Sequence, residues 1–296
     1  MNQDAMNKSV AVIGAGAMGA HMARRLLEAG FKVQVCDTNT ATLERFAALG
    51  ATTTDKASDC AQADVVLVMV PTDAALEAVT FGKNGVCSRT DGVTPGIVCV
   101  MSTTMPTTID DLASRAKPLG IELIDAPVSG GPARAEDGSM SIFIGAATAT
   151  FDALQPIMAA MGKNLYNCGA PGSGSAVKII NNLIGITNIF ITAEAYEIAE
   201  RRDIDLHQLS QILEASTGRN FLTMDIDEAS RQYQGWGASA ESLCKILVKD
   251  IGFANTLMDP TRANHALARY VLDYAKSEDP HRLERWARIA KRPRQK

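Results

Sequence analysis

Residues 9–37 read SVAVIGAGAMGAHMARRLLEAGFKVQVCD, and no other stretch limits the fold as much. The apolar run at 9–13 predicts a short buried strand. The amphipathic run after it predicts a helix to Ala29 that Gly30 ends, and 32–36 predicts a second strand. Between first strand and helix lie Gly14, Ala15, Gly16, Ala17, Met18 and Gly19. Glycine at 14 permits a tight turn, at 16 lets a pyrophosphate approach the backbone, and at 19 lets helix and strand lie close. The helix N-terminus offers its unpaired N–H groups to phosphates. The second strand closes on Asp37, 18 residues past Gly19, where a carboxylate accepts hydrogen bonds from adenosine ribose hydroxyls. A glycine triplet alone is a weak signal, but strand, helix and acid frame this one. The expected ligand is a dinucleotide. Asp37 repels a 2′-phosphate and Thr38 and Asn39 supply no cation, so the expected cofactor is NAD rather than NADP.

The strand–helix alternation continues. Residues 40–49 read as a helix, and 64–70 (DVVLVMV) as a continuous apolar strand of the kind found in a parallel sheet covered on both faces. A helix around 73–79, a strand at 97–101, a helix from Pro106 to Lys117 and a strand at 121–125 follow. Ligands of such sheets bind outside the carboxyl ends of the strands, which nominates Val70, Pro71, Thr72, Ser102 and Thr103 for the cofactor. Ordinary turn and N-cap chemistry is the competing reading for these residue types. Residues 125–132 (DAPVSGGP) form a dense turn segment. There the Ser129 hydroxyl and the amides of Gly130 and Gly131 suit a carboxylate. After a strand at 139–145, a helix at 148–161 and a strand at 164–168, the pattern turns helical: 171–203, 206–216, 241–258 and 263–275. The expected architecture is an α/β half and an all-helical half joined by one long helix. Its expected divisions are 1–170, 171–203 and 204–296.

The long helix carries an anomaly. Lys178 and Asn182 lie four residues apart on an apolar helix and so share one face, one turn apart. Buried polar groups need partners, and a bound ligand is one source of them. A snorkelling lysine and a loop-capping asparagine are the other reading.

Composition excludes several classes. The 296 residues suffice for two domains, 46% are hydrophobic, 21% are charged, and the net charge of −4 gives no footing for nucleic acid. The exception is the basic end, 282–296, which reads as a solvated helix end or an extension. The six cysteines form no CxxC pair and four histidines show no ligand spacing, so no metal site is expected. No apolar leader opens the chain, and a cytoplasmic setting is expected. The most apolar run, 183–192, is too short and too polar to span a bilayer.

Taken together, GAGAMG, DAPVSGGPARAEDGSM at 125–140, GSGSAVKIINN at 172–182 and KDIGFAN at 249–255 resemble the β-hydroxyacid dehydrogenase family, in the family's order and over about residues 9 to 258. The resemblance implies a Rossmann-like doubly wound sheet, a long interdomain helix and a C-terminal all-α domain. It implies that Lys178 is the catalytic lysine, that Asn182 orients the substrate, and that Ser129, Gly130 and Gly131 hold a substrate carboxylate. Lys249 would reach cofactor and substrate, whereas the residue alone reads as a surface lysine paired with Asp250. The implied activity is hydride transfer between NAD and a small 3-hydroxy acid, in a homodimer or homotetramer. Two alternatives remain: a non-catalytic NAD-binding redox sensor, and an NADPH-dependent semialdehyde or imine reductase of the same superfamily. Gly218, Arg219 and Asn220 read equally as pocket lining or as a solvated loop. Beyond about residue 259 the sequence departs from the family pattern.

Overall fold

A computed structural model describes residues 8–89, 91–227, 229, 240–258, 266–277 and 286. The chain divides into two compact units, Met1–Lys178 and Ile179–Lys296, and the division falls inside the long helix.

The first unit is built on strands β1 (Ser9–Ile13), β2 (Lys32–Cys36), β3 (Thr52–Thr54), β4 (Val65–Val68), β5 (Ile97–Val100), β6 (Glu122–Asp125), β7 (Val128–Ser129), β8 (Met140–Gly145) and β9 (Gly162–Gly169). The sheet order is β3-β2-β1-β4-β5-β6-β8-β7, with β9 against β8. Pairings from β3 to β6 are parallel, β8 runs antiparallel to β6 and β7, and β9 is parallel to β8. Strand order reverses at β1, so the carboxyl ends of β1 and β4 open a crevice at the switch point.

Helices α1 (Gly19–Glu28), α2 (Thr40–Ala48), α3 (Asp73–Phe81), α4 (Pro106–Ala116), α5 (Gly131–Asp137) and α6 (Thr148–Met161) connect the strands. Alternation along the strands splits the core in two. Val10, Val12, Val65 and Leu67 join one cluster with Met22 and Leu26 of α1 and Leu154 and Met158 of α6. Ala11, Ile13, Val66 and Val68 join the other with Leu76 of α3 and Ile109 and Leu112 of α4. Helices on both faces are why β4 carries no polar residue. That strand is shorter than the run 64–70 predicts, because Val70 and Pro71 have already turned into the loop.

The segment at 125–132 also differs from expectation. It is no plain turn: Val128–Ser129 pairs with β8, and Gly131 opens α5.

The long helix, α7 (Ser173–Glu200), buries Ile186, Ile189, Phe190, Ala193, Tyr196 and Ala199 in the second unit, with α8 (Leu206–Glu214), α9 (Ala240–Leu257) and α10 (Ala266–Lys276). Phe190 meets Tyr274 edge-on at 5.1 Å. Tyr196 meets Trp286 edge-on at 6.0 Å, and the indole N–H donates to the Ile189 carbonyl at 2.9 Å. Trp286 is buried, while the rest of the basic end, 282–296, lies outside the described residues. At 28 residues α7 is long and apolar enough to cross a membrane by length and composition, which corrects the expectation drawn from 183–192. A core helix of a protein passes the same test, and α7 buries the face just described.

Candidate functional site

The glycine-rich loop is shaped by what it must avoid. Gly14 has φ 89°, and a Cβ there would overlap the Met69 carbonyl oxygen. A Cβ on Gly19 would overlap the Gly14 carbonyl. Gly16 differs: a Cβ would meet no protein atom within 4 Å, and Gly16 and Ala17 stand exposed at the loop tip. The first N–H groups of α1 have no intrahelical acceptor, and Met18 at its N-cap adds no side-chain cap. Close backbone approach and an open front at a helix start fit a pyrophosphate, with the Ala15 amide taken by Asp37 and the Ala20 amide by the Gly16 carbonyl at 3.0 Å.

Asp37 completes this side. Its Oδ2 accepts the Ala15 amide at 2.7 Å and its Oδ1 accepts the Asn39 amide at 2.9 Å. The half-buried carboxylate is therefore tied to the loop it serves. Asn39 is occupied as the N-cap of α2, accepting from the Thr42 amide at 3.1 Å.

The ends of β4 and β5 are stapled together. The Ser102 hydroxyl accepts from the Val70 amide and donates to the Val70 carbonyl, each at 2.8 Å. Ser102 is buried, and its hydroxyl holds the Val70–Pro71 turn in place. Thr72 caps α3 by accepting from the Ala75 amide at 3.1 Å. Thr103 is half-buried beside it. Thr104, which sequence reading passed over, is wholly buried and donates to Asp73 at 2.7 Å.

The carboxylate-binding candidates stand at the far edge of the same sheet. Ser129 pairs with Ser141 across β7 and β8, and Gly130 and Gly131 have φ 135° and 69°. These positive angles turn the chain sharply into α5, where residues with side chains would be strained. All three are half-buried.

Lys178 is half-buried on α7, five residues from the helix start. In the second unit Asn182 is buried, and its amide nitrogen donates to Asp250 Oδ2 at 2.8 Å. Its Oδ1 accepts from Asn181 at 3.3 Å. Asp250 is itself buried, with Lys249 Nζ 3.1 Å from its Oδ1. That Oδ1 makes no aligned hydrogen bond, so the contact is an ion pair only. Lys249 also lies 5.1 Å from the Phe253 ring centroid. The structure therefore contains the Lys249–Asp250 pair that the plain reading of the sequence foresaw, and adds Asp250 as the partner of Asn182. The Gly218–Asn220 loop is held by contacts within the second unit. Arg219 pairs with Glu214 at 3.3 Å, and Asn220 donates to Thr192 at 2.9 Å and accepts from the Leu222 amide at 2.8 Å.

Among the described residues no cluster of three or more histidine, cysteine or acidic side chains is arranged to hold a metal ion. Cys36, Cys60, Cys87 and Cys99 are buried, and burial pushes the Cys87 thiol up to about 12, far from a reactive thiolate.

Two protein-family models match. One, described as the NAD binding domain of 6-phosphogluconate dehydrogenase, covers residues 9–169. The other, described as NAD-binding of NADP-dependent 3-hydroxyisobutyrate dehydrogenase, covers 172–282. The chain is 31% identical to an NAD-dependent L-serine dehydrogenase of Pseudomonas aeruginosa, over 83% of this chain and 84% of that one. It is 36% identical to an L-threonate dehydrogenase of Cupriavidus necator, over 73% of each. Among solved structures, a 3-hydroxyisobutyrate dehydrogenase of Mycobacterium tuberculosis with L-serine superposes with a TM-score of 0.78. Its identity is 25%, over 96% of this chain and 98% of that one. Imine reductases such as that of Myxococcus stipitatus share 17% identity at a TM-score of 0.62, which shows the fold alone. With both halves matched, a nucleotide loop of fitting shape and relatives above 30% identity, the chain belongs to the β-hydroxyacid dehydrogenase family and is an NAD(P)-dependent oxidoreductase of hydroxy acids.

Proposed function

We propose that the protein oxidises a small 3-hydroxy acid with NAD, or reduces the corresponding aldehyde or keto acid, with Lys178 as the proton-transfer group. The observation that carries this reading is the half-buried Lys178 one helical turn before a buried Asn182 on α7, in a chain with a nucleotide loop. Gly14, Ala15, Gly16, Ala17, Met18, Gly19 and Asp37 would hold the dinucleotide, with the loops at Val70–Pro71 and Ser102–Thr103 beside it. When bound, NAD supplies the hydride acceptor.

The chain's own residues do the rest. Ser129 and the amides of Gly130 and Gly131 hold the substrate carboxylate and so orient its hydroxyl-bearing carbon. As hydride leaves that carbon, its hydroxyl proton needs a base, and neutral Lys178 Nζ takes it. A free lysine near pKa ~10.4 is mostly protonated at neutral pH, and burial beside the positively charged ring of oxidised nicotinamide would favour the neutral form. In reduction the protonated Nζ returns the proton to the developing alkoxide. Asn182 orients the substrate on the strength of the family resemblance; its N–H is committed to Asp250 and its carbonyl oxygen accepts from Asn181. Lys249 takes part on the strength of the KDIGFAN motif alone.

NAD rather than NADP is proposed because Asp37 already accepts two amides and presents negative charge where a 2′-phosphate would sit. A homo-oligomer in the cytoplasm is part of the same reading. Its support is the exposed stripe Ile180, Ile184, Ile191 and Ile198 along one face of α7. Light scattering on the purified protein tests this, and a monomer at working concentration would rule it out.

The activity is tested by following NADH formation over 3-hydroxyisobutyrate, L-serine, glycerate and threonate. Turnover of at least one with NAD is expected. Tight NADH binding with no turnover of any would favour the redox sensor instead.

A further inference from the structure

We infer that Asp125 is a positioning residue for Lys178: its carboxylate clamps the first turn of α7 and thereby sets where the lysine stands. The inference rests on the role proposed for Lys178.

Asp125 ends β6 and is wholly buried. Its Oδ1 accepts the Gly172 amide at 2.7 Å and its Oδ2 accepts the Ser175 amide at 2.5 Å. These donors are among those that the start of a helix leaves without intrahelical partners. They lie 47 and 50 residues along the chain, so the cap is tertiary rather than local. The helix needs it, because Ser173, Gly174 and Ser175 are weak helix formers.

The carboxylate is also fitted sterically. A Cβ on Gly145 would overlap its Oδ1, and one on Gly174 would stand 3.1 Å from its Oδ2. Two glycines thus make the slot in which the acid sits. Burial pushes the carboxyl above its ordinary value, and the two amides pull the other way by stabilising the anion.

The clamp bears on both sides of the proposed chemistry. Lys178 follows Ser175 by three residues, one turn on along the same side of α7. The chain that bears Asp125 runs through Ala126 and Pro127 into Ser129, Gly130 and Gly131. One side chain therefore ties the carboxylate-binding segment to the start of the lysine's helix. Displacements of about 1 Å at a reacting group cost on the order of 100-fold in rate.

The test uses full-length Asp125→Asn and Asp125→Ala. Asparagine keeps the shape but turns one acceptor into a donor facing an amide. Four quantities are measured. They are NADH affinity, kcat and KM on whichever panel acid the parent turns over, the reductive methylation rate of Lys178 with formaldehyde and borohydride, and amide exchange along 172–180. For Asp125→Asn, kcat should fall about 10- to 100-fold with KM and NADH affinity within about threefold. Lys178 methylation should change by about threefold or more, with exposed Lys32 unaffected.

A folded Asp125→Asn with parental kcat and parental Lys178 reactivity overturns the inference. If the parent turns over no acid, the proposed activity has failed, and methylation and exchange still decide the positioning role. Should neither variant fold, exchange in the unmodified protein decides. The Ser175 amide should be as slow as the β6 amides, although amides at helix starts ordinarily exchange fast, and fast exchange there overturns the inference.

Discussion

A carboxylate that accepts an amide from the glycine loop does two jobs at once. Asp37 braces the loop through Ala15 and offers negative charge to whatever the adenosine ribose carries. Replacing it should weaken both, but the discriminating effect is on cofactor choice. For Asp37→Ser, the ratio of kcat/KM with NAD to that with NADP is expected to fall at least about tenfold, the effect of about 1.4 kcal/mol of lost discrimination. An unchanged ratio would show that Asp37 does not set the preference. This residue was legible in the sequence because its spacing from the glycines is fixed by one strand–turn–helix–strand unit. Asp125 was visible only as a letter in a motif, and Asp250 only as a partner for Lys249. Their partners, Gly172, Ser175 and Asn182, lie 47 to 68 residues away, and hydrogen bonds over such distances leave no periodic mark on a sequence.

The elements show what periodicity does and does not encode. Continuous apolar runs gave β1 and β5 almost to the residue and placed β4 inside a longer run, because a sheet covered on both faces demands them. The two-residue β7 and the seven-residue α5 escaped, since Gly130, Gly131 and Pro132 carry turn chemistry that only the neighbouring β8 converts into a strand and a helix start. At the start of β4, Asp64 accepts from both the amide and the hydroxyl of Ser9, at 2.7 and 2.8 Å, and so fastens β4 to β1. Those bonds, the Ser9 amide first, hold its carboxyl below the ordinary value of 3.8. A depressed folded pKa contributes stability that is present above the unfolded pKa and lost as pH falls through the folded one. Asp64→Asn should therefore unfold at lower denaturant than the parent at neutral pH, and the gap should close in acid below 3.8. A gap independent of pH would remove the charge from the explanation.

At the scale of the molecule, the two-part architecture was legible in the sequence. Alternating strands and helices followed by helices alone announced two units. The boundary, however, falls between Lys178 and Ile179, inside a helix whose apolar residues run on without a break. No composition shift marks such a point. The docking of Trp286 onto the Ile189 carbonyl was equally invisible, because it depends on where the chain returns. Cofactor binding should be felt by the protein as a whole. NADH at about a hundred times its Kd adds about 2.7 kcal/mol of stability, and NADPH at the same concentration should add clearly less. Thermal unfolding with each cofactor measures this, and an equal or larger shift with NADPH would reverse the proposed preference.

The central claim is that Lys178 moves the proton while other residues bind the dinucleotide. It is tested most directly by measuring turnover and NADH affinity together in Lys178→Ala. The account predicts NADH affinity within about threefold of the parent and a kcat lower by about 10²- to 10⁴-fold, the usual contribution of a positioned general acid or base. A kcat within a few-fold of the parent, with NADH still bound, would contradict it.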